Sequence, residues 1–60
     1  MKFREIQVGD VVRVDEGTVP HRVEAKDAKT GMLVLEVMHT SPRVVWFDVH
    51  EFRCSFAGVF

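Results

Sequence analysis

His50 and Cys54 are the two residues of this 60-residue chain whose types and spacing come closest to chemistry. Four positions apart, they could face one way on a strand or a helical turn. A thiol beside an imidazole is the minimal set for nucleophilic catalysis, and both are zinc ligands. Neither set is completed. Structural zinc usually takes four ligands from two close pairs, and the remaining candidates, His21 and His39, stand far off in sequence and far from each other. A reactive thiol needs an open, electropositive setting and a base oriented by a third group. Cys54 instead lies between Phe52 and Phe56 at strand spacing, which reads as a small buried hydrophobe. Asp48 and Glu51 are spaced as a helix cap and its third residue rather than as a catalytic pair. Gly9, Gly17, Gly31 and Gly58 are isolated, so no glycine-rich phosphate loop exists. The reading is a non-enzymatic protein with no catalytic residues, no cofactor and no metal.

Charge and length narrow the classes further. Eight Lys and Arg nearly balance nine Asp and Glu, so no global field draws in nucleic acid. Arg43 with Trp46 is the one local pairing of a cation with an aromatic that could stack a base, and Asp48 and Glu51 follow it directly. Sixty residues make one domain, residues 1–60, near the lower limit for folding alone. The single cysteine cannot form an internal disulfide, the first residues break apolar positions with charge, and no run approaches the length of a membrane span. A cytoplasmic, soluble protein is expected.

The elements that must position these residues read as short strands. Val8-Gly9-Asp10 is a turn signal. The β-branched run over residues 11–14 follows it, and residues 18–26 make a second strand with Val19, His21, Val23 and Ala25 in phase. Pro20 places the start of that strand at an edge or a bulge. A polar connection over residues 26–31 ends on Gly31, where a positive φ is expected. Residues 32–38 and 43–49 form the third and fourth strands around a loop containing Pro42. Residues 48–53 read either as one helical turn capped by Asp48 or as more of the fourth strand, and residues 54–60 as a last strand. The class is all-β: a small barrel of four to five short antiparallel strands.

With Val8-Gly9-Asp10-Val11-Val12-Arg13-Val14 opening the chain, Thr30-Gly31-Met32-Leu33-Val34 in its middle and Val45-Trp46-Phe47 before a short turn, the sequence resembles the SH3-like small barrels. It is similar to their KOW and Tudor types and, more distantly, to the YodC-like small bacterial proteins. The resemblance spans about residues 8–53 and implies a binding module; the KOW type implies nucleic acid as partner.

One feature sets the functional expectation. The third and fourth strands carry apolar residues on both faces: Leu33, Leu35 and Val37 against Met32, Val34 and Met38, then Val45, Phe47 and Val49 against Val44 and Trp46. A small barrel buries one face of each strand and wets the other. The surplus marks an interaction surface, set against self-coverage by Phe3, Ile6, Phe56 and Phe60. The sequence assigns Leu33, Leu35, Val45 and Phe47 to the core, and Val34, Arg43, Val44 and Trp46 to a partner. That partner is a second copy, giving a dimer, or another protein; a nucleic acid held by Arg43 and Trp46 is the alternative.

Overall fold

The computed structural model describes residues 5–57. It comprises β1 (Val11–Val14), β2 (His21–Asp27), β3 (Met32–Val37), β4 (Val45–His50), a short 3-10 turn (Glu51–Arg53) and β5 (Cys54–Phe56). All pairings are antiparallel, in the order β4-β3-β2-β1-β5. Strands β1 to β4 form a meander, and β5 returns to the far side of β1. The fold is therefore all-β, as the sequence predicts.

The sheet is strongly curved. Laid flat, five strands would hold β4 and β5 about 19 Å apart. Yet Val49 of β4 belongs to one cluster with Ile6, Val12, Val23, Leu33 and Leu35, and Cys54 and Phe56 of β5 pack against that cluster. Both ends of the sheet thus close over a common core, in barrel-like fashion.

Turn chemistry sets the corners. Gly9 takes φ +96°, and Asp10 closes the turn by accepting from the Gln7 amide at 2.8 Å. Gly31 takes φ +77° at the end of the β2–β3 connection, and its carbonyl accepts from the Glu51 amide at 2.8 Å, which docks the 3-10 turn on the hairpin. The Arg53 guanidinium holds the same turn from the other side by a double hydrogen bond to Asp15, at 2.7 and 3.2 Å. It also keeps the Asp15 carboxyl below the usual carboxylate range.

Two bulges interrupt the ladders, and they decide where side chains go. In β2 the register shifts between Val23 and Ala25, so that Val23 faces Leu35 but Lys26, not Ala25, faces Leu33. Ala25, expected in phase with Val23, is accordingly exposed. Lys26 turns toward the core end, where its ammonium donates to the Ile6 carbonyl at 2.7 Å and to Glu5 at 2.8 Å. Its alkyl stem can therefore cover apolar surface while the charge is fully partnered.

In β4 the shift falls between Trp46 and Val49, which face Leu35 and Leu33. Three steps on β4 match two on β3. The extra residue is Asp48, in the left-handed region at φ +58°. Opposed residues of an antiparallel pair share a face. Val49 therefore joins the core, Val45 lies across from Glu36 on the outer side, and Phe47 is 69% exposed. The expected core places for Val45 and Phe47 are corrected: the bulge, which a uniform period of two cannot contain, moves them out. The cap is corrected as well. His50, not Asp48, caps the 3-10 turn, its Nδ1 accepting from the Phe52 amide at 3.1 Å. Of the residues expected to cover the apolar surplus, Ile6 is buried and Phe56 half-buried, while Phe3 and Phe60 lie outside the described residues.

Candidate interaction surface

The residues that could do chemistry are dispersed or already engaged. His21 is buried on β2 between Val12 and Val37. His39 sits in the β3–β4 connection at φ +64°. His50 Nδ1 is used by its own cap. The Cys54 thiol is half-buried and directed at the His50 carbonyl, 3.9 Å away, not at its ring, and burial pushes the thiol pKa up. Among the described residues, no three His, Cys, Asp or Glu side chains gather as a metal site would need. No helix among them is long and apolar enough to cross a membrane.

Arg22, Lys26, Arg43 and Arg53 are engaged too. Arg22 and Arg43 both donate to Glu36, each at 2.8 Å, and Arg22 also donates to Glu24 at 2.9 Å. This network covers one end of the outer face of β2–β4. Arg43, chosen from the sequence as a partner-binding residue, thus helps to fasten the β3–β4 connection to β3, together with Thr40, whose hydroxyl donates to the Val37 carbonyl at 3.1 Å. Trp46, opposite Leu35, lies on the core side of the sheet, whereas Arg43 reaches Glu36 on the outer side.

Of the exposed large hydrophobic side chains among the described residues, Val44, Trp46 and Phe47 lie on β4 and its entry, while Val8, Val19 and Phe52, the most exposed at 88%, lie elsewhere. Val44 is exposed just before the strand, Trp46 is 55% exposed and Phe47 more so, although they point to opposite sides. Among the described residues β4 is also a terminal strand of the sheet, with no strand paired to its far edge. Val34 is half-buried on the outer face, where the bulge leaves Phe47 level with it. The four sequence-chosen residues therefore divide: Val34 and Arg43 on the outer face, Trp46 on the other, Val44 at the entry.

The outer face carries an open groove of about 400 Å³, whose lining includes Asp48 and Lys26 but not Phe47. Ala25, Met32 and Val34 give it an apolar floor, with Asp27 and Thr30 on the hairpin side and Asp48 on the β4 side. Sequence reasoning missed Phe47 and Asp48 as surface residues. The available signal was an aspartate inside an apolar strand, since Asp accepts the left-handed backbone that a bulge requires. No family model, curated protein or solved structure matches the chain.

Proposed function

We propose that this chain is a small non-enzymatic interaction module, an SH3-like barrel by type, that self-associates through the outer face of β3 and β4. The observation that carries the reading is the outward turn of Phe47 at the Asp48 bulge, level with Val34 on a terminal strand. A large, rigid, exposed aromatic is the usual form of an interface anchor. Trp46, on the other side of the same strand, offers a second aromatic to any strand that adds to the β4 edge. The meander with a returning fifth strand, and a 3-10 turn before it, support the SH3-like assignment. A lone thiol fits the reducing cytoplasm.

The test is solution mass by sedimentation equilibrium across a wide concentration range, for the wild type and for Phe47→Ala. Dimerisation of the wild type is expected, and Phe47→Ala should weaken it by about 2 kcal/mol, the cost of losing an anchor. A wild type that stays monomeric at millimolar concentration would overturn self-association and leave a foreign protein as the partner.

A further inference from the structure

We propose that the outer-face groove takes a basic, amphipathic segment of another protein, with apolar stems over Met32 and Val34 and cationic heads at Asp27 and Asp48. This goes beyond self-association and does not rest on it, since Phe47, the anchor named there, lies outside the groove lining.

The inference comes from what the groove presents and what it has already spent. Ala25 stands opposite Val34 and Asp27 opposite Met32, and opposed residues share a face. The apolar floor therefore ends in a carboxylate on the hairpin side. On the β4 side it ends in another, that of Asp48 at the bulge. Both residues are exposed, and among the described residues neither carboxylate has an ion-pair partner. Asp27 Oδ1 accepts from the Lys29 amide at 3.0 Å, which holds that carboxylate at the rim. Lys26, the one cation in the lining, is spent elsewhere. Its ammonium donates to Glu5 at 2.8 Å and to the Ile6 carbonyl at 2.7 Å, with Glu51 3.7 Å away. The Thr30 hydroxyl is engaged as well, accepting from the Met32 amide at 3.3 Å. What the groove leaves unsatisfied is apolar surface and negative charge.

The complement of such a surface is a cationic head on an apolar stem, which lysine and arginine each carry in one side chain. A second copy does not supply it. Docked groove to groove, two copies would set carboxylate against carboxylate at both rims, a like-charge contact that disfavours that pairing. Arg22, Arg43 and Arg53 are already tied to carboxylates of their own chain. The occupant is therefore a foreign basic segment. The floor contributes affinity, and the two exposed carboxylates contribute modestly to affinity and more to selection.

The experiment titrates a short blocked peptide of alternating lysine and leucine into the wild type, at low salt and low micromolar protein. Amide chemical shifts report where and how tightly it binds, and sedimentation follows the mass alongside. Saturable shifts are expected at the β2–β3 hairpin, Val34 and Asp48, with affinity falling as salt rises. Asp48→Asn keeps a residue suited to the left-handed backbone and should raise the dissociation constant about threefold. Combined with Asp27→Asn, the loss should reach about tenfold. Glu16→Gln removes the same charge from the exposed β1–β2 connection and should change nothing. Replacing the peptide's lysines by diaminopropionic acid keeps the charge but shortens the stem, and should weaken binding about tenfold. The spectra show directly that each variant is folded. No shifts at millimolar peptide, shifts centred elsewhere, or equal losses in Glu16→Gln and Asp48→Asn would overturn the groove reading and leave self-association standing. A wild type that binds the peptide but never dimerises would overturn self-association alone.

Discussion

β3 and β4 are neighbours of equal length and similar apolar content, yet they bury their side chains in different ways. β3 lies between two partners. Its alternation is regular, with Leu33 and Leu35 fully buried and Met32, Val34 and Glu36 half-buried on the other side. Among the described residues β4 has one partner, and its alternation breaks at Asp48. Of its apolar residues only Val49 reaches the core fully, while Phe47 turns outward and Trp46, on the core side, stays more than half exposed. Hydrophobicity alone does not bury a residue. Its register against a strand already committed to the core does so, and a terminal strand can lose that register at the cost of one bulge.

The sharpest way to break this comparison is to truncate equivalent residues on the two strands. Leu35→Ala removes a fully buried side chain from the central strand and should cost about 3–4 kcal/mol. That is a large part of the stability of so small a domain, enough to leave much of the chain unfolded at 25 °C. Phe47→Ala, compared at concentrations where both proteins are monomeric, should change stability by less than about 0.5 kcal/mol, as for other exposed positions. Urea unfolding followed by Trp46 fluorescence measures both. A large loss in Phe47→Ala would place that ring in the core.

Next in size is Gly31, which starts β3 by turning the hairpin. At φ +77°, an added Cβ would lie 2.9 Å from Glu51 Oε2 and 3.1 Å from His50 Nε2. Gly31→Val should therefore destabilise by about 2 kcal/mol, chiefly from backbone strain, with the Glu51 and His50 side chains pushed aside. A neutral result in thermal unfolding would mean that β3 does not depend on this turn for its register.

The β4 bulge responds to substitution at Asp48 itself. Asp48→Val forces a β-branched residue into the left-handed region and should cost about 1–2 kcal/mol. Asp48→Gly should be neutral to within about 0.5 kcal/mol. A Val variant as stable as the wild type would show that β4 can slide into unbroken alternation, with Phe47 turned inward.

The smallest effect concerns the surface charges. Lys26 holds the Glu5 carboxyl below its ordinary range by hydrogen bond and charge, as Arg53 does for Asp15. Carboxyls with lowered folded-state pKa values contribute stability that is fully present above their unfolded values. It is lost as pH falls through the folded ones. Urea midpoints should thus stay level from pH 7 to about pH 5 and fall below about pH 4.5. In Arg53→Gln the acid-side fall should be shallower, because Asp15 then has no reason to resist protonation. A fall of equal steepness would mean that the Asp15–Arg53 contact is not formed in solution.

Much of the fold is legible in local chemistry. Val8-Gly9-Asp10 turns where its residue types say it should, the strand over residues 11–14 has the bounds expected of it, and Gly31 takes the positive φ that its place at the hairpin end implies. The alternation of β3 is read correctly because a central strand with two partners has no freedom to depart from a period of two. The candidate surface was legible only in part. Val44 and Trp46 are exposed, but Trp46 lies on the core side of the sheet rather than on the face of Val34, Arg43 serves the fold through Glu36, and Phe47 and Asp48 were read as core and cap.

The sequence by itself determined the all-β class, the turns and the apolar surplus of residues 31–47, since these depend on residue types and on neighbours along the chain. Only the tertiary structure decided which of those apolar residues stay at the surface. A bulge reverses the facing of the residues beyond it, and whether one forms depends on cross-strand partners that are distant in sequence. At Glu24 the bulge brings Lys26 to the core end beside Glu5 and Ile6, and at Asp48 it sends Val49 inward and Phe47 out. Both outcomes are set by the ladder with β3, because only there does an extra residue on one strand have a partner against which to be counted.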